Sequence, residues 1–159
     1  MMGNKTGVDR FLAGNGCSQA VLTHYCEQLG LDEATALKIS SGFPAGMQMA
    51  GVCGAVSGAY MVLGLKFADG DSATSAGRRK VYEKVAEFIH RFKERNTAPT
   101  CIELLGCDIT TPEGKEIAKR DNLFKTACPK FIDDAVQILE SIIESADLEA
   151  AQNQEEAQP

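Results

Sequence analysis

The chain has 159 residues, 44% hydrophobic and 24% charged, with 16 basic against 22 acidic residues and a formal net charge of −6. That length suits one domain with a real core, since about 150 residues bury roughly two-thirds of their unfolded surface. An acidic balance with no basic run longer than Arg78-Arg79-Lys80 argues against nucleic acid or an anionic membrane as the main partner.

Taken in chain order, Met1 to Arg10 shows neither an apolar signal core nor a twin-arginine pair, so the expected compartment is the cytoplasm. After Asn15-Gly16, the spacing of Cys17, Ala20, Val21 and Tyr25 predicts a helix from Cys17 to about Leu29, with Gly30 as its stop. Asp32 is placed to cap a second helix, Glu33 to about Ser40. From Ile39 to Leu65 no residue is charged, which raises the question of a membrane span. Six glycines, a proline, three serines and a glutamine interrupt that run, so it reads as a loop through Gly46 followed by a buried helix from Met49 or Val52 to Phe67.

Arg78 to about Arg95 is amphipathic, with Val81, Val85, Phe88, Ile89 and Phe92 on one face. Thr100 and Glu103 match a capping box around a short helix that starts at Cys101 and stops at Gly106. Thr111-Pro112 opens another helix. Cys128-Pro129 opens the last one, with Cys128 at the N-cap and Phe131, Ile132, Ala135, Ile138, Leu139 and Ile142 as its apolar face. No useful strand pattern appears. The expected fold is an all-α, single-domain bundle of about five to seven helices over residues 1–148, with a glycine-rich central helix. Residues 149–159 are expected to form a polar, disordered tail.

Six cysteines without an export signal point to metal ligands or redox thiols before structural disulfides. Cys17, Cys101 and Cys128 each fall at a predicted helix start, where free amides and the dipole's positive end favour a thiolate. Cys53 sits among small residues four apart (Gly51 and Ala55, Gly54 and Gly58, Ala55 and Ala59), a pattern that lets another backbone approach closely. Cys26 lies nine residues after Cys17, about 180° around the same helix, and so cannot share its site. Cys26 and Cys107 read as buried small hydrophobes. His24 and His90 have no accompanying ligand pattern and read as structural. The absence of C-x-x-C disfavours a thioredoxin-type site and a zinc ribbon.

In combination these residues resemble the C-GCAxxG-C-C family of redox-active proteins. The resemblance is carried by Asn15-Gly16-Cys17-Ser18-Gln19-Ala20, Ser41-Gly42-Phe43, Cys53-Gly54-Ala55-Val56-Ser57-Gly58, Cys101-Ile102-Glu103-Leu104-Leu105-Gly106 and Cys128-Pro129-Lys130-Phe131, in that order. The family label sets a glycine before its central cysteine, whereas here Cys53 comes first and Gly54 follows. The resemblance implies that Cys17, Cys53, Cys101 and Cys128 are the four family cysteines. It also implies an oxidoreductase component or accessory electron carrier, working with an oxidoreductase or transporter system. A homo-oligomer is left open.

Three chemistries compete for the four thiols. The first is an iron–sulfur or other thiolate-metal electron-transfer centre. The second is a metal-free thiol–disulfide protein, pairing for example Cys101 with Cys128 or Cys17 with Cys53. The third is structural zinc in an interaction module.

Overall fold

The computed structural model describes residues 5–156, which carry nine α-helices and no strand. The all-α expectation holds, and the helix count exceeds five to seven because short turns join the longer segments. The helices are α1 (Gly7–Leu12), α2 (Cys17–Tyr25), α3 (Glu33–Ser40), α4 (Gly54–Phe67), α5 (Ser75–Asn96), α6 (Cys101–Leu105), α7 (Pro112–Arg120), α8 (Leu123–Thr126) and α9 (Cys128–Glu156). A 3₁₀ turn, Glu27–Leu29, completes the segment after α2, and Gly30 ends it at φ 78°.

Local signals set most boundaries. Asp32 accepts the Thr35 amide at the head of α3. Thr111 accepts the Gly114 amide at the head of α7, with Pro112 in its first turn. Thr100 caps α6 by accepting the Glu103 amide, while the Glu103 carboxylate bonds the Thr100 hydroxyl, so the box closes through side chains. Thr6 and Asp9 form a full capping box on α1, a helix the sequence reading did not assign.

α4 is the central element. Ala55, Val56, Ala59, Val62 and Leu63 are fully buried along it, and α2, α5 and α9 pack around it. Its small residues explain the closest of these contacts: a Cβ on Gly58 would lie 2.7 Å from the Ser18 carbonyl oxygen on α2. The apolar face of α9 is the one expected, with Phe131, Ile132, Ala135, Ile138, Leu139 and Ile142 all buried. On α5, Phe88 and Phe92 are fully buried, while Val81, Val85 and Ile89 pack half-buried at the margin. α9 continues as an exposed helix to Glu156.

Polar ties fix the helix starts relative to one another. The Ser18 hydroxyl donates to the Ser40 carbonyl at 2.9 Å, joining α2 to the end of α3. Lys130 donates to Asn96 at 2.7 Å and to Asp134 at 2.6 Å, and Arg95 reaches Asp134 at 3.3 Å. This network holds the first turn of α9 beside the end of α5, from which the chain runs on to Cys101. No helix among the described residues is long and apolar enough to cross a membrane.

Candidate functional site

Four helix beginnings meet at one cavity. Cys17 and Cys101 are the first residues of α2 and α6, and Cys53 is the N-cap of α4. Cys128 is the first residue of α9, one place inside the N-cap expected for it. All four line a cavity of about 180 Å³, together with Gly16, Pro44 and Ala45, the aliphatic Leu104, Leu105, Ile109 and Ile132, and the aromatic Phe11, Phe124 and Phe131. No lining residue is charged. Cys53 and Cys101 are buried, Cys17 and Cys128 are half-buried, and Phe124, also on the cavity wall, is 44% exposed.

The position of Cys53 corrects the sequence reading, which set it within the glycine-rich helix. The helix starts one residue later because the chain before it is held by a single antiparallel bridge, Val52 with Thr100. The Cys53 amide donates to the Pro99 carbonyl and the Cys101 amide to the Gly51 carbonyl, each at 2.8 Å. Side chains alternate along extended backbone, so Cys53 and Cys101 fall on the same face of the bridge, opposite Val52 and Thr100. One bridge therefore turns two helix starts toward the cavity. Gly54 completes the arrangement, since a Cβ there would lie 2.1 Å from the Cys17 sulfur.

A second unforeseen feature borders the cavity. Residues 44–50, expected as a loop through Gly46 with a helix starting as early as Met49, instead make one wide turn closed by the Gly51 amide on the Gly46 carbonyl at 3.0 Å. Within it Ala45 (φ 57°), Gly46 (62°), Met47 (58°), Gln48 (60°) and Ala50 (53°) are left-handed. Each non-glycine residue there costs about 1–2 kcal/mol, so the turn persists only because its surroundings impose it.

Electrostatics run against the simple helix-dipole expectation. The Cys53 thiol is raised well above its ordinary value by its hydrogen bond to Cys101 and then by burial. Burial raises the Cys17 thiol, the neighbouring Cys53 adds to this, and the Ala45 and Ser18 amides oppose it. Cys128 is pushed up to about 12 by burial, then by Cys53 and Cys17. Amides of Ala55 and Val56 also favour a Cys53 thiolate, although neither closes a full capping hydrogen bond. Desolvation and mutual repulsion thus outweigh the helix ends at these three sulfurs. In the metal-free protein these sulfurs hold protons more tightly folded than unfolded. Their stabilising contribution is intact below the ordinary thiol value of 9.0 and is lost as pH rises through the raised folded values toward about 12. The thermal midpoint of metal-free protein should accordingly be flat to about pH 8 and fall above about pH 9. A midpoint undiminished at about pH 11 would contradict this.

The remaining candidates stay apart. Cys26 is fully buried at the end of α2, its thiol donating to the Thr23 carbonyl at 3.4 Å. Cys107 is buried beyond Gly106 and does not line the cavity. His24 stacks edge-on against Tyr25, and His90 is exposed beside Glu94.

Four sulfurs thus stand against an apolar wall with no charged side chain lining the cavity. Among the described residues, no three His, Cys, Asp or Glu side chains converge closely enough to hold a metal ion. A lone zinc draws its sulfurs to ~2.3 Å from one point.

Comparison with known proteins gives one match. Residues 16–142 fit the family model described as "Putative redox-active protein (C_GCAxxG_C_C)". Neither the curated proteins nor the solved structures gave a match. The matched span takes in all six cysteines, the bridge and the four converging helix starts, so the chain belongs to the C_GCAxxG_C_C family.

Proposed function

We propose that Cys17, Cys53, Cys101 and Cys128 together hold an iron–sulfur cluster and that the protein is an electron carrier for a redox partner protein. The observation that carries this reading is the meeting of four cysteines from four helix starts around one uncharged cavity. When bound, such a cluster supplies electron transfer at a potential set by charge, hydrogen bonds to sulfur and solvent exposure. The Ser18 and Ala45 amides favour charge on the Cys17 sulfur, and those of Ala55 and Val56 on Cys53, so they would stabilise negative charge added on reduction. Phe11, Phe131 and the aliphatic wall exclude water, and the side near Phe124 is where a partner would approach. The reading suits a reducing, cytoplasmic setting, in which free thiols persist.

A second reading rests on the neighbourhood of Cys53 and Cys101, which share one face of the Val52–Thr100 bridge and whose interaction raises the Cys53 thiol. These two thiols could pass two electrons and two protons to a partner's disulfide, closing their own disulfide and leaving the partner as two thiols. Cys53 neighbours Cys17, one of the two pairs expected, and also Cys101, while the Cys128 thiol is raised by Cys53 and Cys17.

Anaerobic purification followed by absorption spectroscopy and analysis for iron, sulfide and zinc separates the readings. The cluster reading expects a coloured protein carrying iron and acid-labile sulfide. A colourless, metal-free protein with titratable thiols at these four positions would sink it and favour the dithiol. One zinc per chain, indifferent to reductant, would overturn both redox readings.

A further inference from the structure

Residues 39–65 contain no charged side chain, and part of that run lies on the surface. A shallow groove of about 430 Å³ opens there, lined by Phe43, Met47, Val52, Ser57, Tyr60 and Met61. Its walls are already held from within. The Tyr60 ring stands edge-on to the buried Phe88 at 6.1 Å, and the Ser57 hydroxyl donates to the Gly54 carbonyl at 3.3 Å. Met49 falls between the lining residues Met47 and Val52 in sequence and is 69% exposed. Leu65, also exposed, continues the face one turn along α4 from Met61. Exposed apolar residues scattered singly need no explanation, but a joined, charge-free group of them marks a contact surface.

We propose that this face binds a second copy of the same chain about a two-fold axis, with Met49 of each copy seated in the groove of the other. Two observations select that occupant. A two-fold contact needs a surface that complements itself, and here a protruding side chain and a receiving groove belong to one face. Methionine, unbranched and polarizable, fills an irregular groove of this kind. The chain also carries a net charge of −6, so two copies repel one another, whereas none of the groove's lining residues sets a charge against its own image. The face offers on the order of a few hundred Å² per copy, less than the ~800 Å² a side of a standard interface, so the dimer is a reversible one of roughly micromolar or weaker Kd. Pro44 and Ala45 of the same turn line the four-cysteine cavity, so the dimer would set that turn between each cavity and the partner copy. The contact itself does not depend on what the cysteines hold.

Sedimentation equilibrium of the full chain tests this from about 1 to about 500 µM, with the protein purified anaerobically and kept in reductant so that no disulfide joins two copies. The weight-average mass should climb from one chain to two and stop there, and about 1 M sodium chloride should leave the dimer intact. Met49→Glu should weaken association at least about a hundredfold, since it carries a carboxylate into each groove. Leu148→Glu changes an exposed leucine on α9, away from this face, and should dimerise as wild type does. If Met49→Glu folds poorly by circular dichroism, Leu65→Glu takes its place, with a loss of at least about tenfold expected. A chain that stays monomeric throughout overturns the proposal and leaves the face to a different protein. A dimer untouched by the face variants, lost equally in Leu148→Glu or dissolved by salt overturns it too, as does a mass that rises past two chains.

Discussion

Gly54→Ala should fold and yet lose most of its capacity to load the four-cysteine centre. The added Cβ would stand 2.1 Å from the Cys17 sulfur and 3.0 Å from the Ser18 amide nitrogen. The sulfur must swing away, or α2 must shift off α4. Overpacking of this kind costs about 1–3 kcal/mol, partly offset by the better helix propensity of alanine. The larger consequence is for the site, because one of four sulfurs no longer faces the cavity. Iron bound per folded chain should fall at least about tenfold, the ratio that corresponds to ~1.4 kcal/mol. Gly58→Ala is the matched control. Its Cβ meets the Ser18 carbonyl at 2.7 Å on the same interface but touches no sulfur. It should lower the denaturation midpoint in urea while leaving loading per folded chain near wild type. Equal loading in Gly54→Ala and wild type would show that the Cys17 sulfur does not depend on that glycine gap.

Cys53→Ala is the second large effect. Cys53 is the sulfur that links the others: it raises Cys17 and Cys128, and is itself raised by Cys101. It also stands between the bridge and the first turn of α4. Its loss removes the central ligand while the bridge hydrogen bonds, which are backbone, remain. The variant should keep its helical circular dichroism and lose bound iron and sulfide. Cys26→Ala should give up about 1–2 kcal/mol of stability for its buried sulfur and keep the centre. Loss of the centre in Cys26→Ala with retention in Cys53→Ala would overturn the assignment of the sulfurs.

What the sequence discloses divides along the range of the interactions. The starts of α3, α6 and α7 are written in Asp32, Thr100 and Thr111, each acting within three residues. The face of α9 follows from the 3.6-residue period. Convergence of the cysteines on helix starts was legible for Cys17, Cys101 and Cys128 because their neighbours carry cap and proline signals. It was not legible for Cys53, whose helix begins where it does because Val52 pairs with Thr100, far along the chain. Backbone pairing of a single residue leaves no alternating pattern to read. The left-handed turn over 44–50 was invisible for a different reason: Ala45, Met47, Gln48 and Ala50 are residue types that avoid the left-handed region, so their conformation comes from tertiary packing. The raised thiols were missed because a helix dipole can be inferred locally, whereas burial and the proximity of other sulfurs cannot.

In the proposed centre these four sulfurs act on one group in one cavity. Anomalous diffraction at the iron edge, from crystals grown anaerobically of protein purified with its metal, tests it most directly. The expected result is strong iron density at one place inside the cavity, bonded to the sulfurs of Cys17, Cys53, Cys101 and Cys128, with Cys26 and Cys107 unligated. A cavity without a peak, its four cysteines free or joined as disulfides, would contradict it, and so would iron bound at any other set of side chains.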